Sequence, residues 1–174
     1  EGIASILKSI NELAQLRRLN RDPLPTLRSA EACIEKLLQL VFPGYFGNDS
    51  LSSDELEARI NSLTHEIADV LYDHVRFCLR YRQGADRPHD ADLEGRCEQC
   101  DREASSIVTS FFGKLADVRA MLAEDVQVAF ESDPAATGTD ETIFCYPGIF
   151  AITVQRLAHE MLLLGVQLLP RIWT

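Results

Sequence analysis

Two pairs of side chains in this sequence are of the types that hold zinc. Cys97 and Cys100 form a CxxC motif, and His74 and Cys78 lie four residues apart on the preceding helical pattern. Structural zinc sites use thiolates and imidazoles, but they usually carry two tight ligand pairs on loops or hairpins. We therefore favour the alternative that all four residues line a helix interface, where thiols behave as small apolar groups. No metal is expected, and the four residues remain the candidates for one.

A carboxylate in a tight loop is the second feature that could do chemistry. Asp133 precedes a proline in the small polar loop 132–140, SDPAATGTD. A carboxylate held there could accept hydrogen bonds from the ammonium or hydroxyl group of a ligand. The alternative is an aspartate that only forms the turn. The residues alone leave both interpretations open.

Two enzyme classes are excluded or disfavoured by spacing. A ferritin-like di-metal bundle needs Glu-x-x-His on two helices, and none of the four histidines has a glutamate three residues earlier: His65, His74, His89 and His159. A thioredoxin-like redox role is also disfavoured, because no βαβ pattern surrounds the CxxC motif.

The elements that must position these residues are helices. Apolar residues recur every three or four positions nearly everywhere, and no stretch alternates as a half-buried strand would. Ser52 and Glu55 form a capping box at the start of the third helix. The predicted helices cover about 3–16, 26–41, 52–81, 93–113 and 115–130, with a break near Gly113. The pattern therefore predicts an all-α multi-helix bundle over residues 1–131.

The third predicted helix carries a heptad seam, which predicts packing along its length against a partner helix. The seam is formed by Leu56, Ile60, Leu63, Ile67, Val70, His74, Phe77 and Tyr81. After the polar loop, Pro147 suits the start of a helix. Residues 149–169 are apolar well beyond one face, so we expect a further part of the natural protein, beyond Thr174, to cover this helix.

Composition limits the partners. The chain has 174 residues, 17 basic and 27 acidic, with a net charge of −10. That charge repels phosphate backbones and anionic lipid, so neither nucleic acid nor a membrane is expected as a partner. Five scattered cysteines and the absence of a signal-peptide pattern favour a reducing, cytoplasmic location.

Adjoining segments of the last third resemble the bacterial serine O-acetyltransferases. Residues 124–136 (EDVQVAFESDPAA) are similar to the family segment DVQAAxxxDPAA, and residues 140–152 (DETIFCYPGIFAI) to DEIIxxYPGxxAI. Residues 156–160 (RLAHE) and 165–171 (GVQLLPR) look like the helices that follow in the family. The resemblance is strong over about residues 115–174, while residues 1–114 resemble, more loosely, only the longer subfamily.

The resemblance implies a helical N-terminal domain that precedes a left-handed parallel β-helix of hexapeptide repeats. It implies an enzyme of cysteine biosynthesis that transfers acetyl from acetyl-CoA to the hydroxyl group of L-serine. The catalytic histidine, an aspartate that supports it and the acetyl-CoA site would all belong to the β-helix. This sequence has no such repeats, so the isolated chain is expected to be inactive, with no catalytic residue and no cofactor of its own.

One site residue carries over by motif. Asp133 matches the aspartate of DPA, which in the family helps to hold serine. Arg156 and His159 lie in the shared helix and are expected to serve packing and hydrogen bonding.

We therefore predict the N-terminal domain of a serine O-acetyltransferase, with a helical bundle over residues 1–131. Residues 132–174 would form the substrate loop and the apolar helices that lead to the β-helix, all in one structural domain. The domain is expected to associate subunits into a homo-oligomer. The resemblance also makes O-acetylserine sulfhydrylase a candidate partner. The alternative is a non-catalytic helical interaction module, stabilised by zinc on the four candidate ligands.

Overall fold

The computed structural model describes residues 2–16, 18, 24–47, 52–84 and 93–174, and for residues 53 and 93–97 it describes the backbone alone. Within these ranges the chain forms seven α-helices, a short 3₁₀ turn at Ala14–Leu16 and no strand, so the predicted all-α class is confirmed. The helices are α1 (Gly2–Glu12), α2 (Leu27–Val41), α3 (Ser53–Gln83), α4 (Leu93–Ser132), α5 (Thr139–Cys145), α6 (Pro147–Leu163) and α7 (Leu168–Trp173).

Local signals set several helix ends. The Thr26 hydroxyl accepts a hydrogen bond from the Ser29 N–H at 3.1 Å and caps α2. The predicted capping box of α3 is present, and the Glu55 carboxylate accepts from both the N–H and the hydroxyl of Ser52. At the other end of α3, Gly84 adopts a left-handed conformation (φ +69°), which glycine reaches without steric cost. Each cap satisfies backbone groups that a helix end leaves unpaired.

The core lies between the two long helices, α3 and α4, and the shorter helices that cover them. Helix α2 packs on α3 and α7, while α6 packs on α4 and α7. Large side chains from five helices are fully buried together in one cluster. The largest are Phe111, Leu37, Leu63, Ile67, Leu71, Leu79, Leu122, Leu157, Met161 and Leu169.

The expected break near Gly113 is wrong, because α4 runs uninterrupted for 40 residues. A glycine inside a helix costs only about 1 kcal/mol relative to alanine. Phe111, Leu115 and Val118 on either side are buried on one stripe against the core. Burial of that stripe outweighs the local penalty, so the helix continues through the glycine.

The heptad seam of α3 is correct only in part. Leu63, Ile67 and His74 are buried as predicted, whereas Tyr81 is 46% exposed. The buried face also takes in residues outside the predicted seam, namely Leu71, Val75, Cys78 and Leu79. A straight α-helix has 3.6 residues per turn, so a strict heptad line drifts by about 20° per heptad away from the partner. Packing against a partner helix, α4, is confirmed.

The apolar stretch predicted as one helix over residues 149–169 divides into α6 and α7, and this expectation is corrected. Pro147 begins α6 as predicted. At its end, Gly165 has φ +86° and donates its N–H to the Leu162 carbonyl, while Val166 donates to the Met161 carbonyl. This pair of bonds is a Schellman motif, which ends a helix at a left-handed residue. The polar loop is also shorter than expected, since α5 already begins at Thr139.

Several of the described helices leave apolar side chains uncovered, α1 and α6 among them. Helix α1 has no buried residue, and Ile3, Ile6 and Leu7 are each more than half exposed. On α6, Leu163 is 67% exposed although the opposite face is buried. Within the described ranges, no helix combines the length and the apolar character that crossing a bilayer would require.

Candidate functional site

Asp133 is the first residue after α4, and its own loop holds its side chain. Its Oδ1 accepts a hydrogen bond from the Ala135 N–H at 2.9 Å, and its carbonyl accepts from the Ala136 N–H at 3.0 Å. The first bond is an Asx turn, in which an aspartate side chain stands in for a backbone carbonyl. The side chain is half-buried. Its direction is therefore set by the loop backbone.

A tyrosine immediately before α6 donates a second hydrogen bond to this carboxylate. Tyr146 donates its hydroxyl proton to Asp133 Oδ2, with 2.5 Å between the oxygens. This bond, with the smaller contribution of the Ala135 N–H, lowers the pKa of Asp133 below its ordinary value. The same bond raises the pKa of Tyr146 to about 12. At neutral pH the pair is therefore a carboxylate and a neutral phenol that donates to it.

A second carboxylate, on α5, accepts hydrogen bonds from the loop that follows Asp133. Glu141 Oε2 accepts from the Thr137 N–H at 2.7 Å and from the Thr137 hydroxyl at 2.6 Å. These bonds, the hydroxyl first, lower the pKa of Glu141. Thr142 is fully buried, and its hydroxyl donates to the Gly138 carbonyl at 3.1 Å. Side chains of α5 thus hold the end of the loop that leads into that helix.

An arginine joins α6, which Tyr146 precedes, to α4, which Asp133 follows. Arg156 of α6 donates from Nε and Nη2 to the two carboxylate oxygens of Asp125 on α4, at 2.6 and 2.8 Å. This bidentate geometry fits the planar guanidinium group to a carboxylate. The expected hydrogen-bonding role of Arg156 is confirmed. His159 is exposed, so its predicted packing role is wrong.

Aromatic contacts connect α5 to the segment after α2. The Tyr45 hydroxyl donates to Asp140 Oδ1 at 2.6 Å. Phe46 stacks on Phe144, with 5.8 Å between ring centroids and 22° between planes. Helix α5 is therefore anchored to the chain just after the end of α2.

Sequence reasoning singled out Asp133 and missed Tyr146 as its partner. The tyrosine stands thirteen positions later, and α5 lies between the two residues. The only available signal was the position of Tyr146 immediately before Pro147, since a residue before proline is restricted to extended conformations. Tyr146 has φ −88° and ψ 109°, as that restriction requires.

Three of the four zinc candidates, His74, Cys78 and Cys100, have described side chains. His74 Nε2 lies 3.1 Å from the Ser29 hydroxyl oxygen, and Cys100 Sγ donates to Gln83 Oε1 at 3.5 Å. Burial raises the pKa of the Cys78 thiol to about 11, which disfavours the thiolate that binds metal. The side chain of Cys97 lies outside the described residues. Among the residues that are described, no three His, Cys, Asp or Glu side chains are arranged to hold a metal ion.

Known proteins similar to this chain agree on one activity. The chain is 33% identical over 153 residues to the protein named "Serine acetyltransferase, plasmid" from Synechococcus elongatus, a match that covers 86% of this chain. A match of this length cannot be confined to residues 115–174, so the similarity extends into the helices before them. The chain belongs to the serine acetyltransferase family. It supplies a helical N-terminal domain of that family, as the sequence resemblance predicted.

Two further serine acetyltransferases match shorter stretches. That of Synechocystis sp. is 41% identical over 51 residues, which are 29% of this chain and 20% of the relative. That of Mycobacterium tuberculosis is 49% identical over 47 residues, 27% of this chain and 20% of the relative. No protein-family model matches this chain. The long match covers 46% of the Synechococcus relative, so the chain spans about half the length of that protein.

Proposed function

We propose that this chain is the helical part of an enzyme that transfers the acetyl group of acetyl-CoA to the hydroxyl oxygen of L-serine. The 153-residue match to a serine acetyltransferase supports this assignment. In the reaction, the serine oxygen forms a bond to the thioester carbonyl carbon, the carbon–sulfur bond breaks and the CoA thiolate leaves. A general base must take the hydroxyl proton. The resemblance places that base, a histidine, in the β-helix of the whole enzyme.

The contribution of this chain to the chemistry is the Asp133 carboxylate. The observation that carries the proposal is that Tyr146 and Ala135 each donate a hydrogen bond to this carboxylate. The two bonds lower the pKa of Asp133 and orient both of its oxygens. An ionised, oriented carboxylate can receive the ammonium group of serine as a charge-assisted hydrogen bond. Holding the ammonium at one point orients the hydroxyl toward the base and the thioester.

Steady-state kinetics of the full-length enzyme test the role of Asp133. Asp133→Ala is expected to raise the serine KM by about tenfold, the size of a lost hydrogen bond to a charged group. The acetyl-CoA KM should change little. Asp140→Ala is the matched control, because Asp140 is an aspartate of the same segment that bonds instead to Tyr45. An unchanged serine dependence in Asp133→Ala would remove Asp133 from the site.

The chain by itself is expected to show no acetyl transfer, because the base and the acetyl-CoA site belong to the part that follows. Thiol release from acetyl-CoA by the purified chain is the measurement. Serine-dependent release would refute the proposal that the base and the acetyl-CoA site lie outside this chain.

We further propose that the helical domain associates subunits. The uncovered apolar face of α1 supports this role, since Ile6 is 56% and Ile10 43% exposed. Such a face is stabilised when another surface covers it. Sedimentation of the full-length enzyme should show a smaller assembly for Ile6→Asp and an unchanged one for Ser5→Asp, which puts the same charge on an already polar position. Equal masses for both variants would exclude α1 from the interface.

A further inference from the structure

We propose that Tyr146 is a positioning residue, which holds the Asp133 carboxylate in the orientation that receives the ammonium group of the amino-acid substrate. The inference rests on the proposed function of Asp133 and adds a residue to it. Tyr146 would act through Asp133 and would not itself touch the substrate.

The backbone places Tyr146 with little freedom. It lies between the last turn of α5 and the first turn of α6, and Pro147 restricts it to an extended conformation. Its N–H donates to the Thr142 carbonyl at 3.4 Å, and its carbonyl accepts from Ile149 at 3.0 Å. The phenol is therefore directed from a fixed point just before α6 toward Asp133, the first residue after α4.

The Asp133 carboxylate keeps acceptor sites for a ligand after it has bonded to Tyr146 and Ala135. A carboxylate has two oxygens and about four lone-pair sites. The Ala135 N–H occupies one site on Oδ1, and the Tyr146 hydroxyl occupies one on Oδ2. With one protein donor on each oxygen, rotation of the carboxylate is restricted at both ends. Each oxygen keeps a second site, and an ammonium group has three donors with which to fill them.

The surrounding charges favour a cation at this point. The ionisable groups next to Tyr146 are Asp133, Glu141 and Cys145, and the charges of Asp133 and Glu141 raise the pKa of Tyr146 in addition to the hydrogen bond. The phenol therefore stays protonated and cannot add a negative charge of its own. Two carboxylates and no described basic partner at Asp133 make an ammonium group the complementary ligand.

The test is the full-length enzyme carrying Tyr146→Phe, which removes one hydroxyl group and keeps the ring. We expect the serine KM to rise about three- to fivefold, less than on loss of the carboxylate itself, with the acetyl-CoA KM unchanged. The inhibition constant of 3-hydroxypropanoate, which is serine without its amino group, should stay the same. A general loosening of the loop would weaken both ligands, so this comparison separates positioning from a structural role.

Tyr45→Phe is the matched control. It removes another tyrosine–aspartate bond, from Tyr45 to Asp140 of α5 at 2.6 Å. Its serine KM should equal that of the wild type. A rise equal to that of Tyr146→Phe would overturn the proposal, because any loss of a tyrosine bond near α5 would then suffice.

Asp133→Asn and the double variant with Tyr146→Phe separate the two proposals. If Tyr146 acts through Asp133, its removal should have no further effect on serine binding once the carboxylate is gone. A raised serine KM in Asp133→Asn beside a wild-type value in Tyr146→Phe would overturn the role of Tyr146 alone. An unchanged serine KM in Asp133→Asn would overturn the serine site and the role of Tyr146 together.

Discussion

The ion pair between Arg156 and Asp125 joins α6 to α4, and its strength can be tested directly. Asp125→Asn keeps the shape of the side chain but removes its charge and leaves the guanidinium facing an amide. The two side chains are 25% and 27% exposed, with bonds of 2.6 and 2.8 Å. Fully exposed pairs contribute up to about 1 kcal/mol, and hydrogen bonds to charged groups about 1.5–3 kcal/mol. For this half-buried pair we expect a loss of about 1.5 kcal/mol in the free energy of unfolding.

Thermal and urea unfolding of the chain, followed by far-ultraviolet circular dichroism, measure that loss. For a domain of this size, 1.5 kcal/mol corresponds to a fall in Tm of about 3–6 °C. Glu98→Gln is the control, because Glu98 and Arg102 are 67% and 73% exposed and 3.6 Å apart. The control should change the free energy of unfolding by less than about 0.5 kcal/mol. Equal effects of the two substitutions would refute the argument that partial burial strengthens the Arg156 pair.

Two glycine substitutions should act in opposite directions, and a buried histidine should make stability depend on pH. Gly165→Ala forces a side chain into φ +86° and should cost about 1–2 kcal/mol, whereas Gly113→Ala, where an added Cβ meets nothing within 4 Å, should gain about 0.5–1 kcal/mol. Urea unfolding compares them, and shifts of the same sign would contradict the backbone argument. Burial lowers the pKa of His74 below 6.5, against an opposing effect of Asp73. The unfolded chain therefore binds the proton first, so the contribution is complete above about pH 6.5 and is lost as the pH falls through the folded pKa. His74→Gln should flatten the stability profile between about pH 7 and 5. Identical profiles for wild type and His74→Gln would show that His74 does not contribute this dependence.

Within one element, local chemistry was sufficient for prediction. The apolar period gave helices, the pair of Ser52 and Glu55 gave the start of α3, and Pro147 gave the start of α6. These signals act over one or two turns, so the neighbouring residues contain all the information they need. Gly113 marks where local reasoning failed, because the glycine penalty is local but the burial that outweighs it comes from α3 and α6, which pack on α4.

The sequence by itself determined the helical class, the family resemblance and the choice of Asp133 as a candidate site residue. The turn bond from Ala135 to Asp133 is local, but tertiary structure decided the second partner of that carboxylate. Tyr146 reaches Asp133 across α5, and Arg156 pairs with Asp125 at a separation of 31 residues. The same holds for α3, where contact with several helices widened the buried face beyond the predicted seam. Helix formation depends on the spacing of neighbouring residues, so a short stretch of sequence is enough to predict it. The partner of a side chain depends on how whole helices pack, and a short stretch of sequence does not determine that packing.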